Sequence, residues 1–238
     1  MDPLMISAAS GMKARMESLD MLANNIANTG TAGFKADREF YSLYEQQLPV
    51  IENRWTDFSQ GSLVPSGNPL DVALSGRGFF ALNGPNGTVY SRNGSFRVSK
   101  ANQLVSSEGY PLRNALPGPD QGKPITVDPL QPVTIDKSGT VAQGGPPIGR
   151  IEIDQIPTAV ATSAKLGNSY FSLNTATAAT PVADTDVIQG SLEQSNVPIS
   201  DSTIRLLSVM RQFDMLQRAL NVGSQMNKEA ISEVARVS

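Results

Sequence analysis

Residues 23–35 have the sequence ANNIANTGTAGFK. The first part of this stretch continues a helical pattern that begins near Pro3, a residue suited to the first turn of a helix. Asn28-Thr29-Gly30 predicts where that helix stops, because glycine readily takes the left-handed conformation that ends helices. We therefore predict an N-terminal helix over residues 3–28.

The apolar positions of this helix form a narrow stripe. Met5, Met12, Leu19 and Ile26 follow one another at heptad spacing, and Leu22 fills an intervening position. A stripe this narrow is typical of a coiled-coil seam rather than of a broad globular face. We predict that these residues form an interface with another helix.

The C-terminal end of the chain repeats the pattern over residues 199–237. Leu206, Phe213 and Leu220 form one heptad series, and Val209 and Leu216 form a second one. A helix of this length far exceeds the usual globular helix of about 11–12 residues. Periodicity alone leaves open whether the two stripes pack on each other within one chain or on helices of neighbouring subunits.

Between the helices the sequence has the features of β-structure. Short apolar runs alternate with predicted turns at Asn83-Gly84, Asn86-Gly87, Asn93-Gly94 and Lys137-Ser138-Gly139. Asn-Gly favours tight hairpin turns because these need positive φ angles. Predicted strands cover residues 70–74, 78–82, 88–91, 96–99, 103–106, 133–135, 140–142, 148–153 and 170–173. Residues 111–132 are rich in proline and are predicted to be irregular, and residues 174–186 are predicted to be a loop or linker.

Residues 35–66 connect the first helix to the β region and are rich in aromatic side chains. The stretch contains Phe40, Tyr41, Tyr44, Trp55 and Phe58, with Leu43 among them. We expect this aromatic surface to pack against a neighbour, within the chain or on another subunit. An alternative is that the segment covers the edge of the β region.

These patterns together predict an α+β protein. Its inner domain is discontinuous and consists of the N- and C-terminal coiled-coil-like helices, with a β-rich middle domain inserted between them. The predicted boundaries are 1–34 for the N-terminal helix and turn, 35–66 for the connecting segment, 67–188 for the β-rich domain and 189–238 for the C-terminal helix.

The composition limits the chemistry that the chain can carry. It has no cysteine and no histidine, which excludes a Ser-His-Asp triad, a Cys-His pair and thiolate or imidazole metal sites. We therefore predict no catalytic, cofactor-binding or metal-binding residue. An enzyme with an unusual active site in the β domain is the alternative, and a deep pocket with convergent Asp, Glu, Lys and Ser side chains would favour it.

Charge and hydropathy limit the partners. The formal net charge is −3, and no basic cluster suggests binding to nucleic acid or to an anionic membrane surface. No apolar run reaches the roughly 18–20 residues that span a bilayer. The N-terminus also lacks the basic and apolar regions of a conventional signal peptide.

The stretch at residues 23–35 resembles the N-terminal signature of flagellar rod and hook proteins. Its motif residues are Asn24, Asn25, Asn28, Gly33, Phe34 and Lys35. Blocks at residues 67–80, 90–96 and 190–197 continue the similarity over nearly the whole chain. The short connection between Lys35 and Gly67 is most similar to the proximal rod branch of the family, with the distal rod and hook branches as alternatives.

The resemblance implies a structural subunit of the bacterial flagellar basal-body rod, the axial drive shaft that transmits torque for motility. The subunit would assemble through its terminal helices, and its expected partners are other proximal and distal rod subunits and the flagellar type III export apparatus. No nucleic acid, no cofactor and no direct membrane insertion are expected. The implied location is the rod crossing the periplasm, after export without a cleaved signal peptide.

The asparagines at the end of the first helix suggest a local role of their own. Asparagine side chains bond readily to nearby backbone and tolerate left-handed geometry. We predict that Asn24, Asn25 and Asn28 form hydrogen bonds with the backbone at the helix end and in the following loop.

Overall fold

The computed structural model describes residues 3–42, 50–156, 163–167, 169–173, 180–182 and 185–237. These residues form an N-terminal helix, a β-rich middle and a C-terminal helix, which confirms the predicted α+β class. The chain divides into two compact units. The helical unit comprises Met1–Ala27, Asp37–Asp57 and Pro198–Ser238, and the β unit comprises Asn28–Ala36 and Phe58–Val197.

The two compact units group parts of the chain differently from the predicted domains, whose boundaries stay a prediction. Residues 37–57, predicted as a connecting segment, belong to the helical unit. Residues 189–197, predicted together with the C-terminal helix, belong to the β unit. The second difference arises because this stretch supplies a strand and a buried carboxylate, that of Glu193, to the β unit.

The helical unit contains helix α1 (Pro3–Ala27), helix α2 (Ile199–Val237) and the antiparallel strands β1 (Asp37–Ser42) and β2 (Val50–Thr56). Both helices end within one residue of their predicted limits. Helix α1 stops where Asn28-Thr29-Gly30 forms a turn. At the start of α2, the Asp201 carboxylate in the first turn complements the positive end of the helix dipole.

Helices α1 and α2 pack against each other in antiparallel orientation. Their buried contact comprises Met21, Leu22 and Val209, with the partly buried Leu19 and Leu206 beside it. Further along the two helices Gly11 lies against Leu216. A Cβ placed on Gly11 would lie 3.6 Å from Leu216 Cδ1. Along this contact the residue numbers of α1 decrease while those of α2 increase, so the two helices are antiparallel. At these positions the two apolar stripes pack on each other within one chain.

Strands β1 and β2 were not predicted. Charged side chains at Asp37, Arg38 and Glu39 conceal the apolar alternation that marks a strand. Polar contacts hold the open end of this pair: Thr56 Oγ1 donates to Asp37 Oδ1 at 2.8 Å, and Arg38 pairs with Asp57 at 2.8 Å. The Arg38 guanidinium also lies 5.8 Å from the centre of the Trp55 ring. Leu43 and Tyr44 lie outside the described residues.

The β unit is built from short antiparallel strands. They are β3 (Leu63–Pro65), β4 (Val72–Ser75), β5 (Phe79–Gly84), β6 (Gly87–Ser91), β7 (Phe96–Val98), β8 (Leu104–Ser106), β9 (Thr134–Ile135), β10 (Thr140–Ala142), β11 (Pro147–Arg150), β12 (Ile153–Gln155), β13 (Ser163–Leu166), β14 (Tyr170–Leu173), β15 (Thr180–Pro181), β16 (Asp186–Gln189) and β17 (Ser191–Glu193).

The largest sheet has the strand order β13-β14-β6-β5-β12-β15, and a second sheet has the order β11-β10-β9. The remaining strands pair as β16 with β4, β17 with β3 and β7 with β8. Because neighbouring side chains on a strand point to opposite faces, Phe80 joins the main apolar core while Phe79 faces the other way. There Phe79 packs edge to face with Phe58 and Phe171 at centroid distances of 5.3 and 5.6 Å.

Two predicted β features were wrong. Residues 148–153 form parts of β11 and β12 rather than one strand, because the chain crosses between sheets there: the Ile151 amide donates to Gly139 O and the Glu152 amide to Arg113 O. Asn93-Gly94 is not a hairpin turn, because β7 pairs with β8 rather than with β6. The predicted linker at residues 174–186 contains β15 and the first residue of β16.

Gly94 lies in a contact that admits no side chain. A Cβ at this position would lie 1.7 Å from Val72 O and 3.0 Å from the Phe80 ring. We expect Gly94→Ala to lower the free energy of unfolding by about 3 kcal/mol, because the backbone around Val72 must move. Gly145→Ala is the matched control, since nothing lies within 4 Å of its added carbon. Urea denaturation followed by circular dichroism measures both, and equal effects would contradict the expectation.

Candidate assembly site

The predicted assembly residues lie on helices α1 and α2. These residues are Met5, Met12, Leu19, Leu22, Ile26, Leu206, Val209, Phe213, Leu216 and Leu220. Leu22 and Val209 are buried, and the others are partly buried, apart from Met5, whose side chain lies outside the described ones. The seam therefore holds the two helices of one chain together. A role for these residues toward a neighbouring subunit stays a prediction.

A second apolar row runs along α2. It comprises Ile204, Leu207, Met215, Val222 and Met226, whose side chains are between 52% and 68% exposed. At 3.6 residues per turn these five residues fall within a sector of about 100°. That sector lies opposite the seam that faces α1. We call it the outer row. Exposed apolar side chains that share one face of a helix indicate a surface that another chain covers.

The outer row was not predicted from the sequence. Arg211 and Arg218 lie on the same sector and interrupt the apolar spacing, so heptad spacing identified only the seam. A signal was nevertheless present, because Met215 and Val222 of the outer row are also seven residues apart.

Asn25 ties the end of α1 to the start of β1. Its side chain is 4% exposed, and it both donates to Asp37 O at 2.8 Å and accepts from the Asp37 amide at 3.0 Å. The predicted bonding to backbone is therefore present for this residue. Asn28 is also buried, and its Oδ1 accepts from Thr31 Oγ1 at 3.1 Å. Asn24 is exposed.

We expect Asn25→Ala to lower the free energy of unfolding by about 2 kcal/mol, because both backbone groups of Asp37 lose their partner. Asn221→Ala is the control, since it is the same substitution at an exposed position of α2, and its effect should stay within about 0.5 kcal/mol. Thermal and urea unfolding of the two variants test this. Equal stability of Asn25→Ala and the wild type would contradict the expectation.

The remaining motif residues, Gly33, Phe34 and Lys35, belong to the β unit. Gly33 has a φ of +68°, and a Cβ there would lie 2.2 Å from the Asn93 amide nitrogen, so only glycine fits. Phe34 is fully buried and packs with Ala36 and Val197. The Gly33 amide donates to Glu193 O at 2.8 Å. The motif thus lies directly against the C-terminal end of the β unit.

Lys35 belongs to a buried group of charges that we call the ion cluster, formed by Lys35, Arg92 and Glu193. Lys35 Nζ lies 2.6 Å from Glu193 Oε1, and Arg92 Nη1 lies 2.9 Å from Glu193 Oε2. The three side chains are 0%, 3% and 0% exposed in the order Lys35, Arg92, Glu193. Burial lowers the pKa of Arg92, and the charge of Glu193 partly offsets this effect.

Backbone groups add further hydrogen bonds to the ion cluster. Lys35 Nζ also donates to Ser59 O at 2.6 Å, the Gly61 amide donates to Glu193 Oε1 at 3.0 Å, and Arg92 donates to Leu74 O at 3.3 Å. Buried charges are tolerated only when they are paired and bonded in this way. Sequence reasoning missed Arg92 and Glu193 as partners of Lys35, because no local pattern connects residues so far apart.

The β unit also contains a cavity of about 550 Å³, lined among others by Lys137, Ser138, Glu152, Asp154 and Asp186. These are the residue types that would favour an enzyme. Ser138 Oγ, however, donates to Asp136 Oδ1 at 2.6 Å within a turn, and this bond lowers the Asp136 pKa and makes it a weaker base. Within the described part of the chain, no hydroxyl or amine is hydrogen-bonded to the carboxyl of Asp154. Ser138 is therefore not paired with a strong base among the described residues.

Asp154 is buried, and desolvation together with the charge of Glu152 raises its pKa from 3.8 to about 6. Because the folded protein holds this proton more tightly than the unfolded chain, its stabilising effect is complete below pH 3.8 and lost as the pH rises through about 6. We expect the free energy of unfolding of the wild type to fall over this interval by up to about 3 kcal/mol relative to Asp154→Asn. Urea titrations of both proteins between pH 3.8 and about 6 measure this difference. Equal changes in the free energy of unfolding with pH in the two proteins would contradict the expectation.

The described residues contain neither a metal-binding cluster nor a helix that could span a membrane. No three His, Cys, Asp or Glu side chains there converge closely enough to hold a metal ion. Neither described helix combines the length and the apolar character needed to cross a membrane.

Family models match three successive parts of the chain. Residues 5–35 match the flagella basal body rod protein model, residues 73–143 the D1 domain of the flagellar hook protein FlgE/F/G, and residues 188–233 the C-terminal region of the flagellar basal body rod FlgEFG proteins. Terminal helices around an inserted β region thus define a subunit of the flagellar axial class. The chain belongs to the flagellar rod and hook protein family.

Similar proteins cover the chain from end to end. The flagellar basal-body rod protein FlgF of Caulobacter vibrioides is 32% identical over 99% of this chain and 98% of its own length. FlgF of Mesorhizobium japonicum is 30% identical over 97% of both chains. The flagellar basal-body rod protein FlgG of Borreliella burgdorferi is 29% identical over 92% of this chain and 94% of its own length.

Proposed function

We propose that this protein is a structural subunit of the flagellar basal-body rod, of the FlgF type, and that it has no enzymatic activity in this role. The agreement in length and sequence with two FlgF proteins supports this assignment. FlgG is the second candidate, since a FlgG protein is similar over 92% of the chain. The hook protein FlgE of Escherichia coli fits less well, because the chain covers only 43% of it.

The outer row of α2 is the observation that carries the mechanism of assembly. The seam joins α1 and α2 into one building block, and the outer row then remains available to a neighbouring subunit. A contact between two different faces of identical or related subunits produces an open helical polymer when the rotation from one subunit to the next does not close into a ring. This is the geometry that an axial rod requires.

The proposed partners follow from this polymer. Neighbouring subunits are proximal and distal rod proteins that present helices of the same kind to the outer row. The location is the rod where it crosses the periplasm, reached through the flagellar type III export apparatus without cleavage of a signal peptide. Apolar helix contacts repeated along the axis would let the rod transmit torque from subunit to subunit.

We expect Val222→Glu to abolish motility while leaving the free energy of unfolding within about 0.5 kcal/mol of the wild type, because Val222 is an exposed member of the outer row. A buried glutamate at a helix contact would carry an unpaired charge, which strongly disfavours association. Asn221→Glu is the matched control, since it adds the same charge at the adjacent exposed position outside the row.

Swimming assays and electron microscopy of basal bodies report the result. Normal rods with Val222→Glu would overturn the proposed role of the outer row. Complementation separates the two candidate types, because a FlgF-type protein should restore motility to a strain lacking its own FlgF and not to one lacking FlgG.

A further inference from the structure

The ion cluster joins three stretches that are far apart in the chain. Lys35 follows the turn after α1, Arg92 follows β6, and Glu193 ends β17. One carboxylate serves both cations, since Glu193 Oε1 accepts from Lys35 and Oε2 accepts from Arg92. The side chains of Lys35 and Arg92 are almost completely buried, with exposed fractions of 0% and 3%.

The energetics of the cluster are asymmetric. Removing one partner from a buried ion pair is strongly destabilising, because the remaining charge has neither water nor a counterion. Without Glu193 two cations would be left in this state at once. Lys35 and Arg92 therefore cannot both be enclosed until Glu193 is in place.

Strand pairing points to the same segment. Strand β4, whose residues Val72, Ala73 and Leu74 are at most 1% exposed, pairs along its whole length with β16. Strand β3 pairs with β17. The stretch from β16 to Val197 thus supplies both ladder partners and the anion, although it is the last part of the β unit in the sequence.

We propose that residues 186–197 act as a closing strap, so that the β unit folds only when this stretch docks and Glu193 neutralises Lys35 and Arg92. Synthesis runs from the N-terminus, and both cations are therefore made well before the anion. An incomplete chain holds two charges that it cannot bury, and its β unit stays open. This inference concerns folding order and does not depend on the proposed role in the rod.

The strap also explains the Gly33-Phe34-Lys35 motif. Gly33 and Phe34 bond to the backbone of the strap, through Gly33 N to Glu193 O at 2.8 Å and Asn196 N to Phe34 O at 3.4 Å. Asn196 Oδ1 accepts from the Ala36 amide at 2.8 Å. The motif is thus the receiving surface on which the end of the β unit closes.

Pulsed hydrogen exchange during refolding of the full chain from urea tests the proposal. Mass spectrometry of peptides reports when each strand gains protection. We expect the amides of β4, of residues 92–94 and of β16 and β17 to become protected in one kinetic phase. Protection of β4 and residues 92–94 while β16 and β17 still exchange freely would overturn the proposal.

A charge-removing variant provides a second test. Glu193→Gln keeps the size of the side chain, and we expect it to lower the folding equilibrium constant of the β unit about a hundredfold or more. Adding Lys35→Met should recover part of this loss, because one uncompensated cation is removed, whereas a merely mispacked glutamine would not respond to it.

Glu152→Gln is the matched control. Glu152 also pairs with an arginine, at 3.1 Å from Arg113, but the two side chains are 19% and 25% exposed. Loss of the Glu152 charge should change the folding equilibrium constant of the β unit by less than about fivefold. Equal folding of Glu193→Gln and wild type would overturn the proposal. If Glu193→Gln does not fold at all, the exchange experiment on the wild type decides.

Discussion

The carboxylate of Glu193 is the interaction on which the β unit depends. It lies between the buried Lys35 and Arg92 and also accepts a hydrogen bond from the Gly61 amide. Together with Glu193 itself, four separate parts of the chain therefore meet at one side chain. Isolated buried charges are unfavourable, and the cluster is stable only because every member is paired. Replacing it by apolar groups could be tolerated energetically, but it would remove the requirement that these particular segments come together. The cluster therefore contributes specificity more than net stability.

Features that depend on neighbouring residues could be predicted from the sequence. Both helices were located within one residue, since apolar periodicity, Pro3 and the Asn28-Thr29-Gly30 stop are all local signals. The turns between β5 and β6 and between β9 and β10 followed from their glycines in the same way. Strands β3, β16 and β17 were missed, because they are short and become strands only by pairing with residues more than a hundred positions away.

The same distinction applies to the candidate site. The bonding of Asn25 to backbone was predictable, because Asp37 is close in sequence. The seam was predictable as an apolar stripe, but periodicity does not identify the partner of a stripe, and the structure shows that the opposite helix of the same chain covers it. Lys35 was selected only through family resemblance. Its chemical role required the positions of Arg92 and Glu193, which only the folded chain brings together.

The hydrogen bond between Gly33 and Glu193 has a consequence for how the family diversifies. It places the first and the last segments of the β unit side by side, so the chain enters and leaves this unit at one point. A unit attached in this way can be enlarged or exchanged without changing the separation of the two segments that flank it. Relatives of different length fit this arrangement, since Escherichia coli FlgE is similar over 68% of this chain yet is much longer. The β unit can therefore accept inserted residues while its points of entry and exit stay together.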